Sequence, residues 1–179
     1  MHPRLTELKT FIDAERRALL ASAAALPVVR WTEKPAPERW SVSDVLWHLH
    51  KTESNIAGLI RKKVAEARAG GHPAETDTSS VLGALDPAKL TDRTKKIDAP
   101  TPIIPTEVVD ADTVKQQLAD SRAALDEALS SADGLALGTI LHPHRIFGDL
   151  NLYQWIEFVG LHERRHSEQV DEAVSSLTS

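Results

Sequence analysis

Apolar residues recur along this chain at helical spacing in four long stretches, separated by proline- and glycine-rich connections. Leu5, Leu8, Phe11, Ile12, Leu19 and Leu26 form one stripe within a segment of strong helix formers, and Pro27 stops it. A second stripe, Val42, Val45, Leu46, Leu49, Ile56, Ile60 and Val64, follows Ser41, a good N-cap with Asp44 as its capping-box partner. This helix is expected from Val42 to about Arg68, ending at Gly70-Gly71. Val114, Leu118, Leu125 and Leu129 give a third face, on a helix capped by Asp110 or Asp112 and running to about Ser131. Leu152, Trp155, Ile156, Val159, Val170, Ala173 and Val174 give the fourth, capped by Asn151 with Gln154 in the capping-box position. No convincing strand pattern interrupts them, and His142 to Gly148 reads as a turn-prone connection. The expected fold is all-α, a four-helix bundle with long connections. The chain, 1–179, is read as one domain. Its connection over residues 70–109 is long for a compact domain. It carries five prolines, is expected to hold a helical turn near Val81 to Leu90, and suits a pocket wall.

Polar residues on these stripes carry the candidate chemistry. His162 and His166 are four residues apart on the last helix, so both imidazoles share one face about a turn apart. His166 falls inside the apolar stripe and His162 at its edge, so both point inward. Buried imidazoles need partners for their ring nitrogens. A metal ion and a hydrogen-bonded core pair are both open at this point. Glu163 directly follows the first histidine, the place of a catalytic base in metalloprotease helices. Its plainer reading is a solvated or salt-bridged helix residue. Glu53 lies at the centre of the second stripe, where a carboxylate needs a partner. His48 and His50 flank that stripe on opposite sides, and helical geometry does not choose between them. His142 and His144 read as exposed turn residues. The tryptophans read as packing groups, with Trp40 as a staple on the second helix and Trp47 turned away from its stripe.

Composition narrows the classes. Hydrophobic content of 41% fits a folded protein. A net charge of -5, with no basic run, argues against nucleic-acid partners. There is no cysteine, so thiolate ligands, disulfides and a cysteine nucleophile are excluded. Any thiol in the chemistry comes from a small molecule. No apolar run approaches the ~20 residues of a membrane span, and the N-terminus does not read as a signal peptide. A cytoplasmic protein is the expectation.

Two blocks together carry a resemblance. WSVSDVLWHLHKTE is similar to the second-helix signature of the DinB/YfiT-like superfamily, and HPHRIFGDLNLYQWIEFVGLHERRHSEQV resembles its closing signature. With the intervening helices, the resemblance spans most of the chain. It implies a three-histidine metal site: the histidine of the His-Leu pair maps to His48, the last-helix pair to His162 and His166, and His50 drops out. It also implies a divalent ion, zinc or nickel, with Glu53 and Gln169 in an outer layer. Some members of the family transfer electrophiles onto low-molecular-weight thiols such as bacillithiol or mycothiol. A metal-dependent thiol S-transferase is therefore the leading expectation. A metal-dependent hydrolase is the alternative, as is a non-catalytic dimeric module whose histidine site is structural or vestigial. A homodimer is the family expectation.

Overall fold

A computed structural model describes residues 1–94 and 98–179. Four long helices make the bundle: α1 (Pro3–Ala24), α2 (Val42–Ala69), α4 (Ala111–Ala132) and α5 (Leu152–Thr178). A one-turn helix, α3 (Ala88–Thr91), lies in the connection between α2 and α4. The starts follow the sequence chemistry. Ser41 and Asp44 form the capping box of α2, Asn151 and Gln154 that of α5. Asp110, not Asp112, caps α4, its carboxylate accepting from the backbone N–H groups of Asp112 and Thr113. Gly70 closes α2, and Gly71 takes a positive φ of 68°.

The sequence reading missed one element. Leu141–His144 (β1) and Gly148–Asn151 (β2) pair antiparallel, with His144 opposite Gly148 and Leu141 opposite Asn151. Gly148 at φ 74° makes the three-residue turn possible. Each strand has only four residues and β1 contains Pro143, so no period-two signal develops. Such a hairpin is marginal alone. Here α5 supports it: Trp155 donates its indole N–H to the His142 carbonyl at 3.1 Å, and Leu150 is buried.

α1 packs chiefly on α5, and α2 on α4. The core has two apolar halves. One holds Leu8, Ile12, Ile56, Ile60, Leu125, Leu129 and Ile156; the other holds Leu19, Val45, Leu49, Val114, Leu118 and Val170. Each long helix crosses from one half to the other through a polar stretch. Arg16 lies between Ile12 and Leu19, Glu53 between Leu49 and Ile56, and Ser121 with Arg122 between Leu118 and Leu125. Glu163 and His166 lie between Leu161 and Val170. A polar layer therefore crosses the middle of the bundle, and the site is built at that level.

The long connection is pinned rather than draped. Glu157 of α5 is buried and accepts from the backbone N–H groups of Gly83 at 2.6 Å and Leu85 at 3.1 Å. Glu7 of α1 accepts from Val81 N–H and the Ser80 hydroxyl. Arg165 donates to the carbonyls of Leu90 and Asp92. The expected helical turn is present, at Ala88–Thr91.

Candidate metal centre

His48, from α2, and His162 and His166, from α5, converge so that one ligand atom from each lies within 4.8 Å of the others. The Nε2 of His162 is 3.3 Å from that of His48 and 3.1 Å from that of His166. The outer nitrogens are committed elsewhere. His48 Nδ1 donates to the Ile103 carbonyl at 2.8 Å, and His166 Nδ1 donates to Gln169 Oε1 at 2.8 Å. A carbonyl oxygen only accepts, so in the neutral ring each Nδ1 keeps the proton and each Nε2 presents a lone pair. His162 Nε2 carries at most one proton, and that proton can serve only one of its two neighbours. At least one lone pair is left without a donor.

Burial holds all three rings uncharged. Loss of hydration pushes the imidazole pKa of His48 down, and that of His162 well down, with His166 and His48 adding repulsion to the latter. His166 is pushed down to about 3, mainly by burial and then by His48. Three neutral imidazoles with converging lone pairs, two oriented by outer acceptors, suit a borderline divalent cation such as zinc or nickel. The donor set fits the ion that the family resemblance implies.

The centre opens on a cavity of about 690 Å³. Trp40, Trp155, Phe158, Ile103 and Ile104 give it apolar walls, and Thr52, Asn55 and Gln169 give it neutral polar groups. Phe158 stacks on His162, with ring centroids 5.3 Å apart and planes 15° from parallel. Trp40 lies 5.0 Å from His48 and 6.3 Å from His166, so this staple residue also walls the centre. His144 lines the cavity and is half-buried, not an exposed turn residue. Its aromatic neighbours, Trp155 and Phe158, lie on α5, beyond what the local turn pattern reveals.

His50 is not part of this group. It faces α4, where the Gln117 backbone meets its ring. Trp47 is half-buried, with the Lys51 ammonium 5.6 Å above its ring. Glu53 is 2% exposed and lies in a charge network instead of against the imidazoles. Its carboxylate accepts from Arg16 Nη2 at 2.8 Å, Ser121 Oγ at 2.6 Å and Arg122 Nε at 2.7 Å. Glu163 is 1% exposed and ion-paired, so of the two readings, solvated or salt-bridged, the structure shows the salt-bridged one. Its Oε1 accepts from Arg16 Nε at 2.8 Å and Arg122 Nη2 at 3.0 Å, while burial pushes its carboxyl pKa up. Two arginines and two glutamates, one contributed by each long helix, thus neutralise each other beside the triad. The buried glutamates announce a need for partners. Which arginines meet them depends on packing between helices.

Three inward imidazoles under an open cavity define a helical bundle with a histidine cluster that could hold a metal ion. Residues 12–170 match the DinB superfamily, and the chain belongs to that family. It is 30% identical over 141 residues to "Uncharacterized protein YuaE" of Bacillus subtilis (strain 168), covering 78% of this chain and 80% of that one. Among solved structures it is similar to TT2238, described as a four-helix bundle protein. The TM-score is 0.60 at 19% identity, over 92% of this chain and 95% of the other. Among the described residues, no helix is long and apolar enough to cross a membrane.

Proposed function

We propose that this chain is a metal-dependent enzyme of the thiol S-transferase type, with His48, His162 and His166 holding a divalent cation, zinc or nickel. The observation that carries the reading is the convergence of three Nε2 atoms beneath a cavity, with the outer nitrogens of His48 and His166 already occupied. Three imidazoles leave a coordination position open, which distinguishes a catalytic from a closed structural arrangement. A bound divalent cation lowers the pKa of a thiol that ligates it, presenting a thiolate near neutral pH. The chain has no thiol of its own, so the sulfur arrives with a small molecule.

The protein's part is orientation and exclusion of water. The Ile103 carbonyl and Gln169 hold two rings in the metal-binding tautomer. Phe158 and Trp40 shield the triad with apolar surface. Thr52 and Asn55 offer neutral hydrogen-bonding groups to an electrophile in the same cavity. Arg16 and Arg122 hold Oε1 of Glu163 and balance its charge within the mid-bundle network.

Metal analysis of the purified protein, beside His48→Ala and His162→Ala, tests the ligand set. One ion per chain, lost in either variant, is expected; undiminished metal in both refutes it. Incubating an electrophile with a panel of small thiols then tests the reaction. Metal-dependent consumption of thiol and electrophile together is expected. Hydrolysis of the electrophile without thiol consumption would instead establish the hydrolase.

A further inference from the structure

The chain as a whole is acidic, yet among the described residues four arginines line the cavity, Arg39, Arg93, Arg145 and Arg165, against two carboxylates, Glu38 and Asp98. Three of the four are tied into the wall. Arg39 and Arg93 both clamp Glu172, and Arg165 holds the connection's carbonyls. Arg145, at the tip of the β1–β2 hairpin, is exposed and has no ion-pair or hydrogen-bond partner among the described residues.

Its neighbour completes a recognition pair. His144 Nδ1 accepts from the backbone N–H groups of Ile146 at 3.1 Å and Phe147 at 3.4 Å. That fixes the opposite tautomer from His48 and His166: the proton sits on Nε2, which has no protein acceptor among the described residues. The ring is held by aromatic contacts to Trp155 at 5.0 Å and Phe158 at 4.8 Å. Phe158 in turn stacks on His162 at 5.3 Å, so the rings of His144 and His162 are no more than about 10 Å apart. A fixed N–H donor and an unpaired guanidinium, on consecutive residues, thus both line the cavity, with the His144 ring no more than about 10 Å from that of His162. Guanidinium with a second N–H donor is the pairing that recognises a carboxylate.

We propose that Arg145 and the Nε2–H of His144 form the carboxylate-binding end of this cavity, selecting a small anionic substrate whose other end reaches the triad. The inference takes the cavity as the substrate pocket, as the proposed function does, and adds the charge of what enters it. A lone exposed cation against a carboxylate gives modest selectivity, up to about fivefold.

The test compares isosteric ligands that differ in charge. Quenching of Trp40 and Trp155 fluorescence on the purified protein is titrated with hexanoate and with hexanamide. Hexanoate is expected to bind about three- to fivefold more tightly. Arg145→Ala should bring the two within about twofold, and Arg145→Glu should favour the amide. His144→Asn keeps an acceptor for the turn but removes the outward donor, and should weaken hexanoate more than hexanamide, because the lost hydrogen bond is charge-assisted only for the carboxylate. Equal binding of the two ligands, or a preference indifferent to Arg145, overturns the proposal. Cobalt(II)-loaded protein with 6-mercaptohexanoate supplies the separate control for thiol binding. Carboxylate preference without a thiolate-to-metal absorption band refutes the thiol reading and supports this one; a band without the preference does the reverse.

Discussion

Replacing Glu53 by glutamine tests whether the mid-bundle layer is a balanced charge set. The substitution keeps the side chain's shape but removes one of the two buried negative charges facing Arg16 and Arg122. In the parent, Glu53 answers Arg16 at 2.8 Å and Arg122 at 2.7 Å, and the serine hydroxyl of Ser121 at 2.6 Å. In the variant, two guanidiniums share Glu163, and Asp13, a third exposed, reaches only Arg122. Removing one partner of a buried ionic set costs about 3–5 kcal/mol, because the remaining charge stays desolvated. That is a large part of an ordinary domain's stability of roughly 5–15 kcal/mol. With a urea m-value of about 2 kcal/mol/M, the unfolding midpoint should fall by about 1.5–2.5 M. Adding Arg122→Gln restores neutrality and should recover at least about 1 kcal/mol, a coupling that independent sites would not show. Metal stoichiometry at pH 7 should be unchanged in Glu53→Gln, since no hydrogen bond joins Glu53 to the imidazoles among the described residues. A midpoint shift under about 0.5 M, or no recovery in the double variant, refutes the balanced-layer argument.

Three other outcomes follow from the same geometry. Metal-free protein should lose stability as pH falls from about 6.5 toward 3: the folded imidazole pKa values of His48, His162 and His166 lie below the unfolded value, so the unfolded chain binds more protons in that window. Each such group contributes a slope of up to about 1.4 kcal/mol per pH unit, read by urea titration at successive pH values, and flat stability across the window would contradict neutral buried rings. Gly160→Ala should destabilise by about 1–3 kcal/mol in thermal unfolding, because an added Cβ would collide with Phe11 Cε1 and meet its Cδ1 at 2.9 Å where α1 crosses α5. Glu157→Ala should speed amide exchange of Gly83 and Leu85 by about tenfold or more while leaving α2 and α4 protected; unchanged exchange would mean the loop is held by something else.

The four long helices were readable because their apolar stripes and capping boxes are local. Ser41 and Asp44, or Asn151 and Gln154, mark helix starts without reference to the rest of the chain. The spacing of His162 and His166 put both on one face. The choice of His48 over His50 came from the family signature, because both flank the second stripe and only the packing of α5 separates them. The hairpin and His144 stayed hidden for the opposite reason. Their stability comes from Trp155 and Phe158, which have no local signature in the turn. Glu163 reads from its own segment as either solvated or salt-bridged, because its counter-charges, Arg16 and Arg122, come from α1 and α4 and nothing nearby in sequence names them.

The mid-height charge layer also fixes how the helices may slide. Shifting α5 by one turn, about 5.4 Å, would strip Glu163 from both guanidiniums and in the same motion draw His162 away from His48. An alignment that scatters the imidazoles is therefore one that leaves naked charge in the interior. An ion bound at the triad would not need to assemble its own ligands, so a chelator should strip the metal-loaded protein without unravelling it, unlike a zinc finger.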